Sequence, residues 1–321
     1  MSVYLSVVVP LYNEEECVED LVFKLIKHLE ASDLSYEIIL VDDGSTDGTW
    51  EIIERMKKDS ARLMGIKFRR NYGQTSAMVA GFDHASGEII VTMDGDLQND
   101  PNDIPALLKK IREGYDIVSG WRINRQDHFS RVMPSKVANA IISFTTGVHL
   151  HDYGCSLKAY RAECIKPLKA YGEMHRFFPA LASMTGAKIT EVPVNHHPRK
   201  RGTSKYGFDR IFKVLCDIFA INLIARFSSC PLKGFALCSL PFLLLSISFG
   251  SLFFSAMIFH WTAGKALFFL ISTALSLMAV VHLIILGLLG ELVVNVSDLS
   301  HTHFGKLTKK MIHPKCTETK A

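Results

Sequence analysis

EIIVTMDGDLQ, residues 88–98, is the stretch from which the fold can be read. It begins as a short apolar run with β-branched residues, the composition of a buried strand, and breaks at once into Asp94-Gly95-Asp96-Leu97-Gln98. EIILVDDGSTDG, residues 37–48, is built the same way and ends in Asp42, Asp43 and Asp47. Outward from these two, strand and helix patterns alternate. LSVVVPLY (5–12), LMGIKFRR (63–70) and YDIVSGWR (115–122) read as strands. Glu14 to His28, TWEIIERMKK (49–58, capped by Thr46 or Asp47), SAMVAGFDHA (76–85) and PNDIPALLKKIREG (101–114) read as helices. The alternation predicts an α/β domain with a mainly parallel sheet flanked by helices. In such sheets ligands bind beyond the carboxyl ends of the strands. Two of those ends carry aspartates.

In an extended chain Asp94, Asp96 and Gln98 point to one side. Three oxygen donors on one face suit a hard cation, Mg²⁺ or Mn²⁺, which neutralises a departing diphosphate. The other acidic end is expected to accept hydrogen bonds from a base or ribose, with a plain acidic turn as the alternative. Asp43, Ser45, Asp47, Gly48 and Glu54 also match a relaxed EF-hand spacing, but an EF-hand loop follows a helix and this one follows a strand. Basic residues make a third group: Trp121 to Asp127, with Arg122 and Arg125, then Arg131, then Arg199 to Tyr206. Such groups clamp phosphates. Arg122 directly follows a strand and is read as a site residue, whereas the run at 199–206 could instead hold anionic lipid headgroups. His149, His151, His196 and His197 lack further ligands at zinc spacing and read as surface or supporting groups.

The chain has 321 residues, 48% hydrophobic and 21% charged, which excludes disorder. Its 36 basic and 32 acidic residues leave +4, too little to argue for nucleic acid. Seven cysteines without CxxC spacing read as reduced thiols. The opening MSVYLSVVVPLYNEEE lacks a basic segment, so no signal peptide is expected. Residues 234–264 and 266–290 contain no Asp, Glu, Lys or Arg. Each exceeds the ~20 residues that cross a bilayer. They predict a transmembrane hairpin turning near Trp261 and Lys265, in preference to a pair of buried core helices. Arg226, Lys233, Lys306, Lys309 and Lys310 flank the hairpin and predict that both its ends face the cytoplasm. FDRIFKVLCDIFAINLIARF, 208–227, is amphipathic and reads as an interfacial helix or as one packed on the soluble domain. The expected organisation is a catalytic domain (1–207), an interfacial helix (208–228), a hairpin (229–293) and a cytoplasmic tail (294–321).

Pro10-x-Tyr12-Asn13-Glu14, Asp42-Asp43-Gly44-Ser45-x-Asp47, Asn71-Tyr72-Gly73-Gln74 and Asp94-x-Asp96-Leu97-Gln98 resemble the family 2 glycosyltransferases of GT-A fold. The hairpin ending Gly287-Leu288-Leu289-Gly290-Glu291 is similar to the branch that uses polyprenyl phosphates, which includes dolichol-phosphate mannose synthases and bactoprenol glucosyltransferases. Asn124 to Asp127, Asp152 to Arg161 and Ser204-Lys205-Tyr206 look most like the undecaprenyl-phosphate 4-deoxy-4-formamido-L-arabinose transferases. The resemblance implies an inverting transfer from a nucleotide-sugar, UDP- in preference to GDP-linked, to undecaprenyl phosphate at the cytoplasmic leaflet of a bacterial inner membrane. It implies a base pocket of Asp42, Pro10, Tyr12 and Glu14. It implies that Asp94, Asp96 and Gln98 hold Mg²⁺ or Mn²⁺ with the donor diphosphate. It further implies that Arg122 and Arg131 bind the lipid phosphate, with Arg125, Arg201 and Lys205 at the phosphate-rich centre. Cys155 stands where some relatives carry an acidic residue, so no base carries over there, and Asp152 is the substitute candidate. A homo-oligomer is possible. The alternatives are a GDP-mannose-dependent mannosyltransferase and a non-catalytic lipid-sugar flippase component. A processive polysaccharide synthase is disfavoured because QxxRW is absent.

Overall fold

A computed structural model describes residues 3–123, 142–143, 147–168, 170, 172–198 and 230–296, the last three in backbone only. The first part of the chain alternates as the sequence pattern predicts: β1 (Leu5–Leu11), α1 (Val18–Glu30), β2 (Tyr36–Asp42), α2 (Thr49–Asp59), β3 (Leu63–Lys67), α3 (Gln74–His84), β4 (Ile89–Thr92), a 3₁₀ turn (Pro101–Asp103), α4 (Ile104–Arg112) and β5 (Ile117–Arg122). β6 (Lys158–Arg161), α5 (Ala162–Ile165), a second 3₁₀ turn (Met174–Phe177), α6 (Phe178–Ser183) and β7 (Ile189–Val194) follow.

The seven strands form one sheet in the order β3-β2-β1-β4-β6-β5-β7. β1 is central and buried along its whole length, because hydrophobic residues on both of its faces meet helices. Val7, Val9, Leu40 and Val91 bury one face with α1 and α4, and Val8, Ile39, Ile90 and Tyr160 bury the other with Phe82 and Phe178. α1 contributes Val18, Leu21, Val22, Leu25 and Leu29 from a single stripe. It starts at Val18 rather than Glu14, after a turn in which the N–H groups of Cys17 and Val18 both donate to the Glu14 carbonyl. α3 comes close to β1 at Gly81, where a Cβ would lie 2.2 Å from Val8 Cγ1.

β6 and β7 carry no clear strand signal in the sequence. β6 runs antiparallel between β4 and β5 and pairs Lys158 with both Thr92 and Ser119. Its insertion joins the strand that leads to Asp94 with the strand that ends at Arg122.

The chain divides into two compact units, Met1–Ala220 and Ile221–Ala321. In the second, α7 (Pro231–Ile258) and α8 (Ala263–Val296) form a helical hairpin. Pro231–Ile258 and Ala263–Val293 are long and apolar enough to cross a membrane, and only 11% and 6% of their most apolar windows are buried. That exposure is the opposite of a soluble core helix pair. Glycines draw the helices together at one end, where a Cβ on Gly290 would meet Pro231 Cβ at 2.9 Å. Glu291 accepts from the Leu232 N–H (3.4 Å), one of the donors a helix start leaves without an intrahelical partner. At the other end Lys265 lies 5.9 Å from the centre of the Trp261 ring. The amphipathic stretch 208–228 and the tail from 297 lie outside the described residues.

Candidate active site

β1 and β2 end side by side, with Leu11 opposite Asp42, and the loops beyond them are stitched together. Asn13, at φ 51, donates its N–H to Ser45 Oγ (2.9 Å) and accepts at its side-chain oxygen from the Thr46 N–H (2.8 Å). Glu14 N–H donates to Thr49 Oγ1 (2.9 Å), and Asp47 accepts from the N–H (3.1 Å) and hydroxyl (2.6 Å) of Thr49 at the start of α2. The N-cap of α2 is Gly48 rather than the expected Thr46 or Asp47, and Asp47 stands one residue before it, bonded to Thr49. Glu54 accepts from the Trp50 indole (2.6 Å), and the acidic loop follows a strand, so the EF-hand pattern has no structural counterpart. Asp43 accepts from the N–H groups of Tyr72 (2.7 Å) and Gly73 (2.9 Å), tying in the Asn71–Gln74 motif. Burial raises its pKa, and the two N–H bonds only partly oppose that. Gly44, at φ +70, lets this loop pass, since a Cβ there would lie 2.3 Å from the Arg70 carbonyl carbon.

Asp42 differs from its neighbour. Its Oδ1 accepts from the Ser45 N–H (3.0 Å), while its Oδ2 is buried with no hydrogen-bond partner. A buried carboxylate oxygen without a donor is costly. This oxygen has the capacity to accept from an N–H or O–H. Pro10 is buried in β1 opposite Val41, and Tyr12 and Glu14 are half-buried in the loop that follows.

The second acidic end departs from the extended geometry expected of it. β4 stops at Thr92, residues 95–97 bend, and Leu97 takes φ 62, so strand alternation does not carry through to Gln98. Contacts from outside hold the turn: Gln74 Nε2 donates to Asp94 Oδ1 (2.7 Å), and Gln98 Nε2 donates to the His197 carbonyl (3.2 Å). Asp96 accepts from the Gln98 N–H (3.2 Å). Beyond the turn, Asp100 lies 3.2 Å from His197 Nε2. Burial alone would raise the Asp100 pKa, but the Asn102 N–H and His197 outweigh it and lower it. Sequence patterns do not single out Gln74, Asn99 or His197 as parts of this turn. Gln74 stands in the Asn71–Gln74 motif, whereas the other two carry no local signal.

Arg122 and Asp152 form a bidentate pair at 2.6 and 3.0 Å, both largely buried, and Asp152 also accepts from the Gly154 N–H (3.0 Å). Burial opposes the charge on Arg122, but Asp152's hydrogen bonds and charge, helped by Cys155 and Asp94, raise its pKa. Asp152 is the expected substitute base, and its carboxylate is engaged in the guanidinium fork of Arg122, which leaves it poorly disposed to accept a proton. Burial pushes the neighbouring Cys155 thiol up to about 11, so it offers no base in place of the missing acid. Lys158, which donates to the Tyr153 carbonyl (3.0 Å), is lowered by burial to about 8. One residue outward from the pair, Trp121 stacks on His151 with ring centres 4.3 Å apart, and Glu191 binds both the N–H (2.8 Å) and the ring of His151. His151 is held by Trp121 and Glu191, and His197 by Asp100. Arg125, Arg131, Arg201 and Lys205 lie outside the described residues.

Residues 6–168 match the family model described as Glycosyl transferase family 2. The chain belongs to glycosyl transferase family 2. This family 2 glycosyltransferase is 46% identical, over 72% of its length and 70% of the relative's, to a dodecaprenyl-phosphate galacturonate synthase of Rhizobium johnstonii. It is 34% identical to an undecaprenyl-phosphate 4-deoxy-4-formamido-L-arabinose transferase of Salmonella choleraesuis, over 97% of this chain and 94% of the relative's. The GT-A-like fold is shared with glucosyl-3-phosphoglycerate synthase of Mycobacterium tuberculosis, solved with Mn²⁺, UDP and phosphoglyceric acid. The TM-score is 0.53 at 22% identity, covering 69% of this chain and 78% of that one.

The donor set at 94–98 fits a divalent cation. Among the described residues no three His, Cys, Asp or Glu side chains gather as a self-sufficient metal cage. Mg²⁺ does not require one, because it is bound through one or two carboxylates together with substrate phosphates and water. The hard oxygens of Asp94 and Asp96, both close to the chain's second acidic turn, are of that kind.

Proposed function

We propose that this enzyme transfers a sugar, with inversion, from a UDP-sugar to undecaprenyl or a similar polyprenyl phosphate at the cytoplasmic leaflet of a bacterial inner membrane. The observation that carries this reading is the extent of the likeness to the Salmonella transferase, which spans 97% of the chain and therefore includes the apolar hairpin as well as the α/β unit. The hairpin has the length a bilayer anchor needs, and an enzyme with a polyprenyl acceptor works at a membrane. The M. tuberculosis structures with UDP and with Mn²⁺ or Mg²⁺ support a UDP donor and a divalent ion.

In this reading Asp42 Oδ2 accepts from the base, with Pro10, Tyr12 and Glu14 around it. Asp94, Asp96 and Gln98 would hold Mg²⁺ or Mn²⁺, whose chemistry there is to neutralise charge on the diphosphate. Arg122, oriented by Asp152, presents a fixed positive charge to the incoming phosphate, with Arg131, Arg125, Arg201 and Lys205 as the further phosphate-binding residues. No general base is required. A phosphate monoester has its second pKa near 6 and is largely a dianion at neutral pH. Positioning and charge neutralisation are what it needs for in-line attack on the anomeric carbon. The lost base at Cys155 and the occupied carboxylate of Asp152 are both compatible with that chemistry. The organisation follows: catalytic residues 1–207, an interfacial helix over 208–228, a hairpin over 229–293 and a cytoplasmic tail.

The test is mass spectrometry of lipid extracts after the detergent-solubilised protein is incubated with undecaprenyl phosphate and a panel of UDP- and GDP-sugars. A polyprenyl-monophosphate sugar formed from one UDP-sugar is expected, and UDP-linked galacturonic acid and formamido-arabinose lead the panel. Product from GDP-mannose alone would move the donor assignment. Nucleotide binding without lipid-linked product from any donor would overturn the transferase reading.

A further inference from the structure

Beyond β7 the chain turns back along the second acidic end. Asn99 and His196 pair as an antiparallel bridge. The His197 N–H donates to the Gln98 carbonyl (2.9 Å), and Gln98 Nε2 donates to the His197 carbonyl (3.2 Å), so one residue grips the other at both main chain and side chain. His197 Nε2 stands 3.2 Å from Asp100 Oδ2. Asn195 donates its N–H (2.7 Å) and its Nδ2 (3.0 Å) to Asp103, which is buried at the head of α4. Together these bonds fasten 195–197 to 98–103, segments far apart in sequence. The turn they secure contains Leu97 at φ 62, a left-handed conformation unfavourable for a leucine that persists only where the surroundings impose it.

We infer that His197 is a positioning residue for the divalent-cation site, fastened by Asp100 and gripping Gln98 so that the Gln98 side-chain oxygen is held as a ligand beside Asp94 and Asp96. The inference rests on the proposed reading of residues 94–98 as the site of the cation and donor diphosphate. An amide has one donor end and one acceptor end. With Nε2 engaged by the His197 carbonyl, the rotation of the amide is set and Oε1 is the end left as an acceptor. Groups that orient a ligand in this way typically contribute about 10–100-fold to metal affinity. The same latch ties the cation turn to the point where the chain enters its basic run, since Arg199 is two residues beyond His197.

The experiment uses the full-length protein in detergent and three variants, His197→Ala, His197→Gln and His197→Pro. Ala removes the contact with Asp100, Gln keeps a donor for it, and Pro removes the N–H that holds the Gln98 carbonyl. Mn²⁺ affinity is read from the electron paramagnetic resonance signal of free Mn²⁺ at saturating UDP. UDP affinity is read by calorimetry in EDTA, and hydrogen exchange is followed over 94–100. The expected result is Mn²⁺ binding weakened about tenfold in Ala, more in Pro and little in Gln, with metal-free UDP affinity unchanged and exchange faster in Ala and Pro. Asp100→Asn, which keeps an acceptor for His197 and empties no space, is expected to resemble Gln and serves if Ala or Pro fails to fold. Faster exchange or a lower melting temperature with Mn²⁺ affinity within about twofold of the original would overturn the inference, since the latch would then be structural alone. An original protein that binds UDP in EDTA but never binds Mn²⁺ would overturn the cation reading itself, and the positioning role with it. The UDP arm tells these two failures apart.

Discussion

The two acidic strand ends look alike in sequence and are secured by different partners. At Asp42–Asp47 the loops beyond β1, β2 and β3 bond to one another: Asp47 accepts from Thr49 at the start of α2, Ser45 and Thr46 bond to Asn13, and Asp43 holds Tyr72 and Gly73. One buried oxygen, Asp42 Oδ2, is left over for a ligand. At Asp94–Gln98 the turn is held from outside, by Gln74 on one side and His197 on the other. The difference teaches that the first end is tied among the loops of neighbouring strands, whereas the second also draws on a segment 99 residues further along the chain.

The largest effect that would test this contrast lies at the second end. Asp96→Asn removes a charged oxygen worth several kcal/mol of charge stabilisation, at about 1.36 kcal/mol per tenfold in rate. Turnover in a radiolabelled-sugar transfer assay is expected to fall by about a hundredfold or more, and activity in EDTA to be negligible. Full activity of this variant in EDTA would remove the cation from the mechanism.

At the first end the two adjacent aspartates should separate affinity from stability. Asp42→Ala removes the acceptor offered to the base, and a hydrogen bond to a charged group contributes about 1.5–3 kcal/mol. Calorimetry should show UDP affinity lower by about ten- to a hundredfold. Asp43→Asn places an amide NH₂ against a backbone N–H, and should cost about 1–3 kcal/mol of stability in denaturant titrations. If Asp43→Asn instead proved neutral for stability and damaging for UDP binding, the division of labour between the two aspartates would be reversed.

Arg122→Lys keeps the charge and loses the fork that engages both oxygens of Asp152. The acceptor KM is expected to rise about tenfold while UDP affinity stays near its original value. A double-mutant cycle with Asp152→Asn should show strong coupling, because the two groups share one interaction. Loss of UDP affinity with unchanged acceptor dependence would place Arg122 on the donor side, next to the acidic turn.

The smallest expected effect is a pH slope. Lys158 has a folded pKa lowered to about 8 from 10.5, so above pH 8 the folded state holds fewer protons there than the unfolded state. Stability attributable to Lys158 therefore rises with pH from about 8 upward. Cys155, raised from 9.0 to about 11, works in the opposite direction above pH 9, so the clean window is pH 8 to 9. Lys158→Met should flatten the slope of melting temperature in that window.

Much of the fold is legible in the amino-acid pattern alone. Apolar β-branched runs separated by amphipathic stripes specify β1 to β5 and their helices, because a continuous apolar run buries both faces of a strand and a stripe buries one face of a helix. The two charge-free runs specify the hairpin by length alone. Asp42 and the Asp94–Gln98 motif stand out because their place at strand ends follows from the same pattern. Contacts whose partners are far apart in sequence carry no periodic signal, and only the folded chain decides them. Asp152 reads in sequence as a candidate base, and it is the antiparallel β6 and the loop before it that bring its carboxylate onto Arg122. Leu97 turns where strand alternation predicts an extended chain, in a loop whose neighbours Asp94 and Gln98 are bonded to Gln74 and His197. His197 has the sequence context of a surface histidine, and only the return of the chain after β7 lays it against Gln98 and Asp100. Hydrophobic pattern fixes which segments form elements, but hydrogen bonds between segments form only after the topology has brought them together, and those bonds orient the groups at the site.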